Sequence, residues 1–330
     1  MRTLRTRVAA CALAAGLALS FQAAAQIAAA GPGQAYPARP VRVIVPFAPG
    51  GGSDITARRM SHKIGEHFGQ QFIVDNRPGA GALVGTRLLV ESAPDGYTIM
   101  ISTSSWMTSA TVYRPPFDPV NNIAPIAELG YNPFVLSVHP SLPSRTTQEL
   151  IALARSRPGQ LAYAMSGVGS ITHLATELFV HMAQIKMLAV PYKSTGAVIP
   201  DLLAGRTQLI LSGLVPLQPH IQAGKLRPLA VTTAKRWNTL PAVPTMAEAL
   251  PGYEVESWYG VVAPKGTPPA IIERLNAAVN KILHEPEMKT NLELEGMAPT
   301  GGTPEQFNRR IRSDYERWAK VVTDAGIKPE

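Results

Sequence analysis

The sequence predicts an α/β protein of two parallel-sheet lobes with a ligand cleft between them. Three observations predict it. Short β-rich runs alternate with segments of helical period along the whole chain, which is the pattern of βαβ units. Two glycine-rich turns, Gly50-Gly51-Gly52-Ser53-Asp54 and Ser166-Gly167-Val168-Gly169-Ser170, each follow a strand and open a helix. About 300 residues would remain after an N-terminal leader, enough to bury roughly three quarters of the extended surface in two lobes.

Each element has its own local reason. Val41–Val45 is a valine-rich β run, broken only by Arg42, that stops at Pro46, and residues 55–68 carry Ile55, Met60, Ile64 and Phe68 on one helical side. Residues 72–74 form the next strand, 82–92 a helix, and 98–101 a strand after the Pro94-Asp95-Gly96 turn. Residues 134–138 make another strand. Thr146 and Glu149 have capping-box spacing for a helix that stops at Pro158-Gly159. Strands follow at 161–164, 187–190, 209–211 and 229–231, with Gly205 and Gly224 where helix ends favour a left-handed residue. Thr267-Pro268 opens a helix to His284, and Thr303-Pro304-Glu305 opens the last helix, whose Phe307, Ile311, Tyr315 and Trp318 should pack against the body. Breaks at Tyr131-Asn132-Pro133 and at residues 252–257 are crossovers. They divide the chain into a first lobe of residues 36–132 plus 256–330 and an inserted second lobe of residues 133–255, after a linker over 26–40.

The N-terminus has the three parts of a secretory leader: Arg2, Arg5 and Arg7, an uncharged Ala/Leu-rich stretch, and Ala23-Ala24-Ala25 as a cleavage site. A second small-residue site at Ala28-Ala29-Ala30 allows a later cut. The mature chain is expected to be exported, as a soluble monomer. Cys11 is the single cysteine and leaves with the leader, so no disulfide, thiol nucleophile or thiolate metal site remains. Val8-Ala9-Ala10-Cys11 is only a faint lipoprotein box, since almost no apolar core precedes it. Removing the three leader arginines from 31 basic residues leaves 28 against 23 acidic ones, a net +5. That charge is scattered, without a run or aromatic interleaving, and gives no nucleic-acid surface.

The two turns carry the candidate site. A strand that empties through glycines into a helix start exposes backbone N–H groups at the positive end of the helix dipole, which suits an anion. Ser53 and Ser170 are candidate N-caps, and Asp54 either stabilises its own helix start, orders a water, or reads an ammonium or hydroxyl. Thr103-Ser104-Ser105 and Ser212-Gly213 follow strands and add hydroxyl donors. Asn76-Arg77-Pro78-Gly79-Ala80-Gly81 reads as a turn. The first turn is not a P-loop or a G-x-G-x-x-G fingerprint. Enzymatic readings are poor: H-E-x-x-H and G-x-S-x-G are missing, the seven histidines offer no i,i+4 metal pair, and no cofactor or metal is expected. Ser166 or Ser170 with His173 is the alternative, a secreted serine hydrolase, against a cap and a cleft wall.

The ordered blocks V-P-F-A-P-G-G-G-S-D-I-T-A-R, N-R-P-G-A-G, P-D-G-Y-T, G-S-I-T-H-L, V-P-Y-K, D-L-L-A-G, L-R-P-L-A-V-T, P-T-M-A-E, W-Y-G-V-V-A-P-K-G-T-P and R-W-A-K-V-V resemble the Bug (Bordetella uptake gene) family. These are periplasmic solute receptors of tripartite tricarboxylate transporters, and the similarity runs from Tyr36 to about Lys328. The resemblance implies a type II periplasmic-binding-protein fold that closes on a small organic carboxylate (a di- or tricarboxylate, an acidic amino acid or an aromatic acid) and works with membrane subunits. A ligand-sensing receptor for a two-component system is the alternative partner class. By motif the ligand contacts fall on Phe47, Gly51, Gly52, Ser53 and Asp54, and on Ser166, Gly167, Gly169, Ser170 and His173. Thr103, Ser104, Tyr192 and Ser212 complete the candidate set. Valine at Gly52 or Gly169 is expected to fill the anion pocket. Departures from the family pattern fall at Ser194-Thr195-Gly196, Ile199-Pro200 and Asn121-Asn122-Ile123, the first beside Tyr192.

Overall fold

The computed structural model describes residues 36–294, 296–324 and 326–327. The expected leader and cleavage site lie outside the described residues. The first part of the chain alternates as its periodicity requires: β1 (Val41–Val45), α1 (Gly52–Phe68), β2 (Phe72–Asn76), α2 (Leu83–Val90), β3 (Thr98–Thr103) and α3 (Ser105–Tyr113). β4 (Ile123–Val138) leads into α4 (Thr147–Ser156), β5 (Ala162–Met165), α5 (Ile171–Ala183), β6 (Leu188–Pro191), α6 (Thr195–Leu203), β7 (Leu209–Gly213), α7 (Leu214–Gln222) and β8 (Arg227–Val231). β9 (Glu256–Pro264), α8 (Pro269–Leu283), α9 (Pro286–Leu294), β10 (Ala298–Pro299) and α10 (Pro304–Asp324) finish the chain.

The strands run β2-β1-β3-β9-β4-β7-β5-β6, with β8 and β10 also on β4. Pairing is parallel at both ends of this series, β2-β1-β3 and β7-β5-β6. It is antiparallel in the middle, where β4 pairs with β9, β7, β8 and β10 and β9 pairs with β3. The two sheet halves are joined rather than separate because β4 does not break at Tyr131-Asn132-Pro133. Residues 123–133 of β4 pair with β9, and residues 134–138 pair with β7. β4's register on β9 slips twice, at Pro125/Ala127 and Glu128/Gly130. A proline and a glycine in mid-strand locally interrupt the ladder and bend it.

Strand–loop–helix connections put the carboxyl ends of β1, β3, β5 and β7 directly before helix starts, with α1, α3, α5 and α7 following them. In open α/β sheets that is where ligands bind. α10 covers the antiparallel middle. Its Phe307, Ile311 and Trp318 are buried, and Phe307 meets Trp258 edge-on at 5.1 Å, which in turn meets Trp106 edge-on at 5.1 Å. Trp258 donates its indole N–H to Asp314 at 2.5 Å.

Beneath α10, Arg310 bonds Glu256 at 3.2 Å and Asp314 at 3.3 Å, while the carboxyl of Glu128 in β4 is buried and no described residue hydrogen-bonds it. Burial pushes the Glu128 carboxyl up, Arg310 opposes this, and Asp314 and Glu256 add to it, so it titrates at about 7. Its folded value lies above its unfolded one. Stability linked to Glu128 is therefore fully present below the unfolded value and is lost as pH rises through about 7. We expect Glu128→Gln to flatten that slope and to raise stability at pH 8 by about 1–3 kcal/mol, checked by urea unfolding at pH 5.5 and 8.

Candidate functional site

The two glycine turns meet. They border one small cavity together with the starts of α3, α6 and α7; its wall includes Phe47, Gly51, Gly52, Ser53, Thr103, Ser105, Phe134, Ser166, Ile171, Thr172, Ser194, Thr195, Ser212, Gly213, Pro216, Ser257 and Tyr259. The wall holds no charged side chain. Its polarity is hydroxyl groups and backbone, and Phe47, Phe134, Ile171, Pro216 and Tyr259 supply apolar surface. The cavity volume is about 40 Å³. At roughly 10–15 Å³ per water that holds about three waters, or one carboxylate group.

Five helices begin at this cavity, and each N-terminus is worth roughly half a positive charge. α1 starts at Gly52 with Gly51 as an N-cap that has no side chain to offer, so the Gly52 and Ser53 N–H groups have no acceptor among the described residues. Ser53 is therefore a first-turn residue rather than the N-cap. α5 starts after Ser170, whose Oγ accepts the His173 N–H at 3.4 Å as a true N-cap. α6 is capped by Ser194, whose Oγ accepts the Ala197 N–H at 3.2 Å. With its amide oriented to suit its neighbours, Asn132 accepts the first N–H of α7, from Leu214, at 3.0 Å and donates to Ser257 O at 3.1 Å. Ser53 and Ser257 are 4% and 1% exposed, border the cavity, and have hydroxyls that no described residue engages. Burying an unpaired hydroxyl is costly, so such groups point to a polar occupant.

Asp54 lies behind the wall. Burial would raise its carboxyl, but hydrogen bonds from Arg58, from the Gly50 N–H and from Asn76 outweigh burial and hold it below the usual carboxylate range. The bonds are 3.0 Å from Gly50 N, 3.1 Å from Arg58 Nε and 3.0 Å from Asn76 Nδ2. Asn76 also donates to Phe47 O at 2.9 Å. Asp54 thus fixes the glycine turn from outside and brings no bare charge to the cavity. Its role is neither an ammonium contact nor a side-chain cap.

Of the residues singled out from the sequence as ligand contacts, Phe47, Gly51, Gly52, Ser53, Thr103, Ser166 and Ser212 border the cavity, whereas Asp54, Ser104, Gly167, Gly169, Ser170, His173 and Tyr192 do not. Ser104 is buried ahead of α3, and its neighbour Ser105 takes the place in the wall. Gly167 and Gly169, at φ +114° and +75°, shape the second turn. A side chain on Gly169 would press on Ser109 Cα at 3.1 Å and strain the backbone instead of filling the pocket. His173 Nδ1 accepts the Gly169 N–H at 3.1 Å, and Ser170 Oγ donates to Gly167 O at 2.6 Å. His173 Nδ1 and the Ser170 hydroxyl are thus both engaged with the backbone of the second turn. Tyr192 turns away and donates to Asp201 at 2.8 Å, which Arg206 also holds at 2.7 Å.

Sequence reasoning missed Phe134, Ile171, Thr172, Thr195, Pro216, Ser257 and Tyr259. Thr172 accepts the Ser166 N–H at 2.9 Å and lies 2.8 Å from both Ser166 Oγ and Ser170 Oγ, a hydroxyl triangle under the second turn. Tyr259 is fully buried, and burial raises its phenol above the ordinary value, so it stays a neutral hydroxyl. The Ser194-Thr195 departure was the visible signal for α6: Thr195 lies 3.0 Å from Ser212, hydroxyl to hydroxyl. Among the described residues no three His, Cys, Asp or Glu gather as a metal site, and no helix is long and apolar enough to cross a membrane.

The profile of the tripartite tricarboxylate transporter family receptor, TctC, matches residues 56–327. BugT of Bordetella pertussis is 38% identical across 93% of this chain and 96% of its own length. The solved structure of Rpa4515 of R. palustris with adipate matches with a TM-score of 0.87 at 40% identity, covering 90% of this chain and all of that one. MatC from Rhodopseudomonas palustris, with bound malate, matches with a TM-score of 0.83 at 30% identity over 87% of this chain and all of that one. The fold is that of two-lobed type II periplasmic binding proteins, and the family is one of solute receptors, not enzymes. The chain belongs to the Bug, or TctC, family of tripartite tricarboxylate transporter receptors.

Proposed function

We propose that this receptor captures a small organic carboxylate in the periplasm and delivers it to the membrane subunits of a tripartite transporter. The observation that carries the reading is the wall itself: the uncapped Gly52 and Ser53 N–H groups of α1, unpaired hydroxyls at Ser53 and Ser257, and no cationic side chain. Backbone donors at helix starts bind a carboxylate without the desolvation cost of a lysine or arginine. The carboxylate sits between residues 51–53 and 166–172, with the apolar side chains around the rest of the molecule. The adipate and malate held by the two relatives are of the same chemical class.

On this reading the two lobes meet at residues 131–133 and 255–257, with the second lobe spanning 133–255, and the acid enters when the lobes part. A six-carbon diacid exceeds the 40 Å³ cavity, so it is held in a less tightly shut form. The leader is cleaved near Ala25. A thermal-shift screen of the mature chain against mono-, di- and tricarboxylates tests the function. An acid at a hundred times its Kd adds about 2.7 kcal/mol, or about 5–10 °C for a chain of this size. No shift across the acids, with a shift from neutral sugars or amines, would overturn it.

A further inference from the structure

Gly81, the last residue of the N-R-P-G-A-G turn, lies outside the cavity, yet no side chain fits there. Its φ is +61°, and an added Cβ would run into Val168 O and Ser109 Oγ and lie 3.2 Å from Ser170 N. From the other side, a Cβ on Gly167 would lie 3.3 Å from Gly81 Cα. The turn after β2 and the second anion turn are therefore in backbone contact along one rim. On that rim α3 presents Ser105, Thr108 and Ser109 at i, i+3 and i+4, all buried. Thr108 Oγ1 donates to Gly169 O at 3.1 Å, Ser105 Oγ accepts the Ile171 N–H at 3.2 Å, and Ser109 Oγ donates to Gly81 O. The opposite rim is sealed differently, by Gly196 against Gly50 and by the Ala48 N–H on Lys193 O at 3.2 Å.

We infer that the Thr108 hydroxyl and the bare Gly81 backbone form a latch that seats the second anion turn over a captured acid. Both are positioning residues: they touch the turn that holds the ligand, not the ligand. The inference rests on the carboxylate reading. Gly169 O and the Ile171 N–H can meet α3 only when the two walls are together; apart, water serves them. Contacts made after encounter slow release and leave capture unchanged. The hydroxyl stripe also explains a helix so rich in Ser and Thr, residues that otherwise weaken helix interiors.

Stopped-flow binding of adipate to the mature wild type, Thr108→Val, Thr108→Ser and Gly81→Ala tests this, with malate as the second probe. Thr108→Val should release the acid about 3- to 10-fold faster, with an association rate within about twofold of wild type. Thr108→Ser, which keeps the hydroxyl, should restore the wild-type release rate, and Gly81→Ala should release faster still. Melting of each variant without acid separates lost latch from lost fold: rescue by serine at equal melting temperature supports the latch. Unchanged release in Thr108→Val, or fast release that serine fails to rescue, overturns it. Wild type that binds no acid of the thermal-shift panel would sink the carboxylate reading and the latch together; wild type that binds while the variants release normally would sink the latch alone.

Discussion

Gly52→Ala should bind its acid at least about 100-fold more weakly than wild type, a loss of about 2.7 kcal/mol, and its melting without acid separately reports what displacing a buried hydroxyl costs the fold. Gly52 is the first residue of α1 and has an ordinary helical backbone, and alanine is the better helix former there. The penalty falls on the cavity. An added Cβ runs into the Tyr259 hydroxyl, itself buried in the wall, and either displaces it or occupies the place where a carboxylate meets the Gly52 and Ser53 N–H groups. Removing that hydroxyl should relieve the collision, since the next ring atoms lie 3.3 and 3.4 Å from the added carbon. Gly52→Ala/Tyr259→Phe should therefore regain at least tenfold of the lost affinity. Calorimetry on the two variants and on Tyr259→Phe alone measures this coupling directly. Wild-type affinity in Gly52→Ala would place the ligand elsewhere.

Asp54→Ala should cost about 2–4 kcal/mol of stability and weaken binding as well. Asp54 gathers the Gly50 N–H, Asn76 and the half-exposed Arg58 onto one carboxylate that is 4% exposed. Removing a buried acceptor leaves its donors unpaired, and that penalty exceeds the net worth of the bonds. The Gly50 N–H is the direct link from Asp54 to the anion turn, so the turn loses its register even though Asp54 never meets ligand. Because the folded carboxyl is held below its unfolded value, this stability is present above the unfolded value and is lost as pH falls through the folded one. Between pH 5 and 8 the turn should hold constant. Urea unfolding of Asp54→Ala and Asp54→Asn at pH 7 and pH 3.5 checks both statements, with the variants' deficit shrinking at the lower pH.

The legible parts of the molecule were those with a local cause. The strand–turn–helix from Val41–Val45 into α1 needs only an apolar run and three glycines, and the N-caps at Thr146 and Ser170 need only a hydroxyl before an apolar period. What escaped depends on distant partners. The first half of β4 carries Pro125, Glu128 and Gly130, all poor strand residues, and exists because β9 pairs with it through two register slips. With β9 unrecognised as a strand, Ser257 and Tyr259 had no route into the site, although they stand two apart on one face of it. α3 was hidden by its serines and threonines, whose partners are the second anion turn and the Gly81 turn. For Asp54 the i+4 spacing to Arg58 was visible, but Asn76, which fixes its orientation, comes from the end of β2.

The central claim is that backbone N–H groups at helix starts, with hydroxyls, hold the carboxylate without any cationic side chain. A crystal structure grown with the acid that gives the largest thermal shift tests it most directly. The account predicts carboxylate oxygens within hydrogen-bonding distance, directly or through one water, of the Gly52 or Ser53 N–H on one side and the second turn around Ser166 and Thr172 on the other. A carboxylate paired instead with a lysine or arginine side chain, with residues 51–53 turned away from it, would contradict the account.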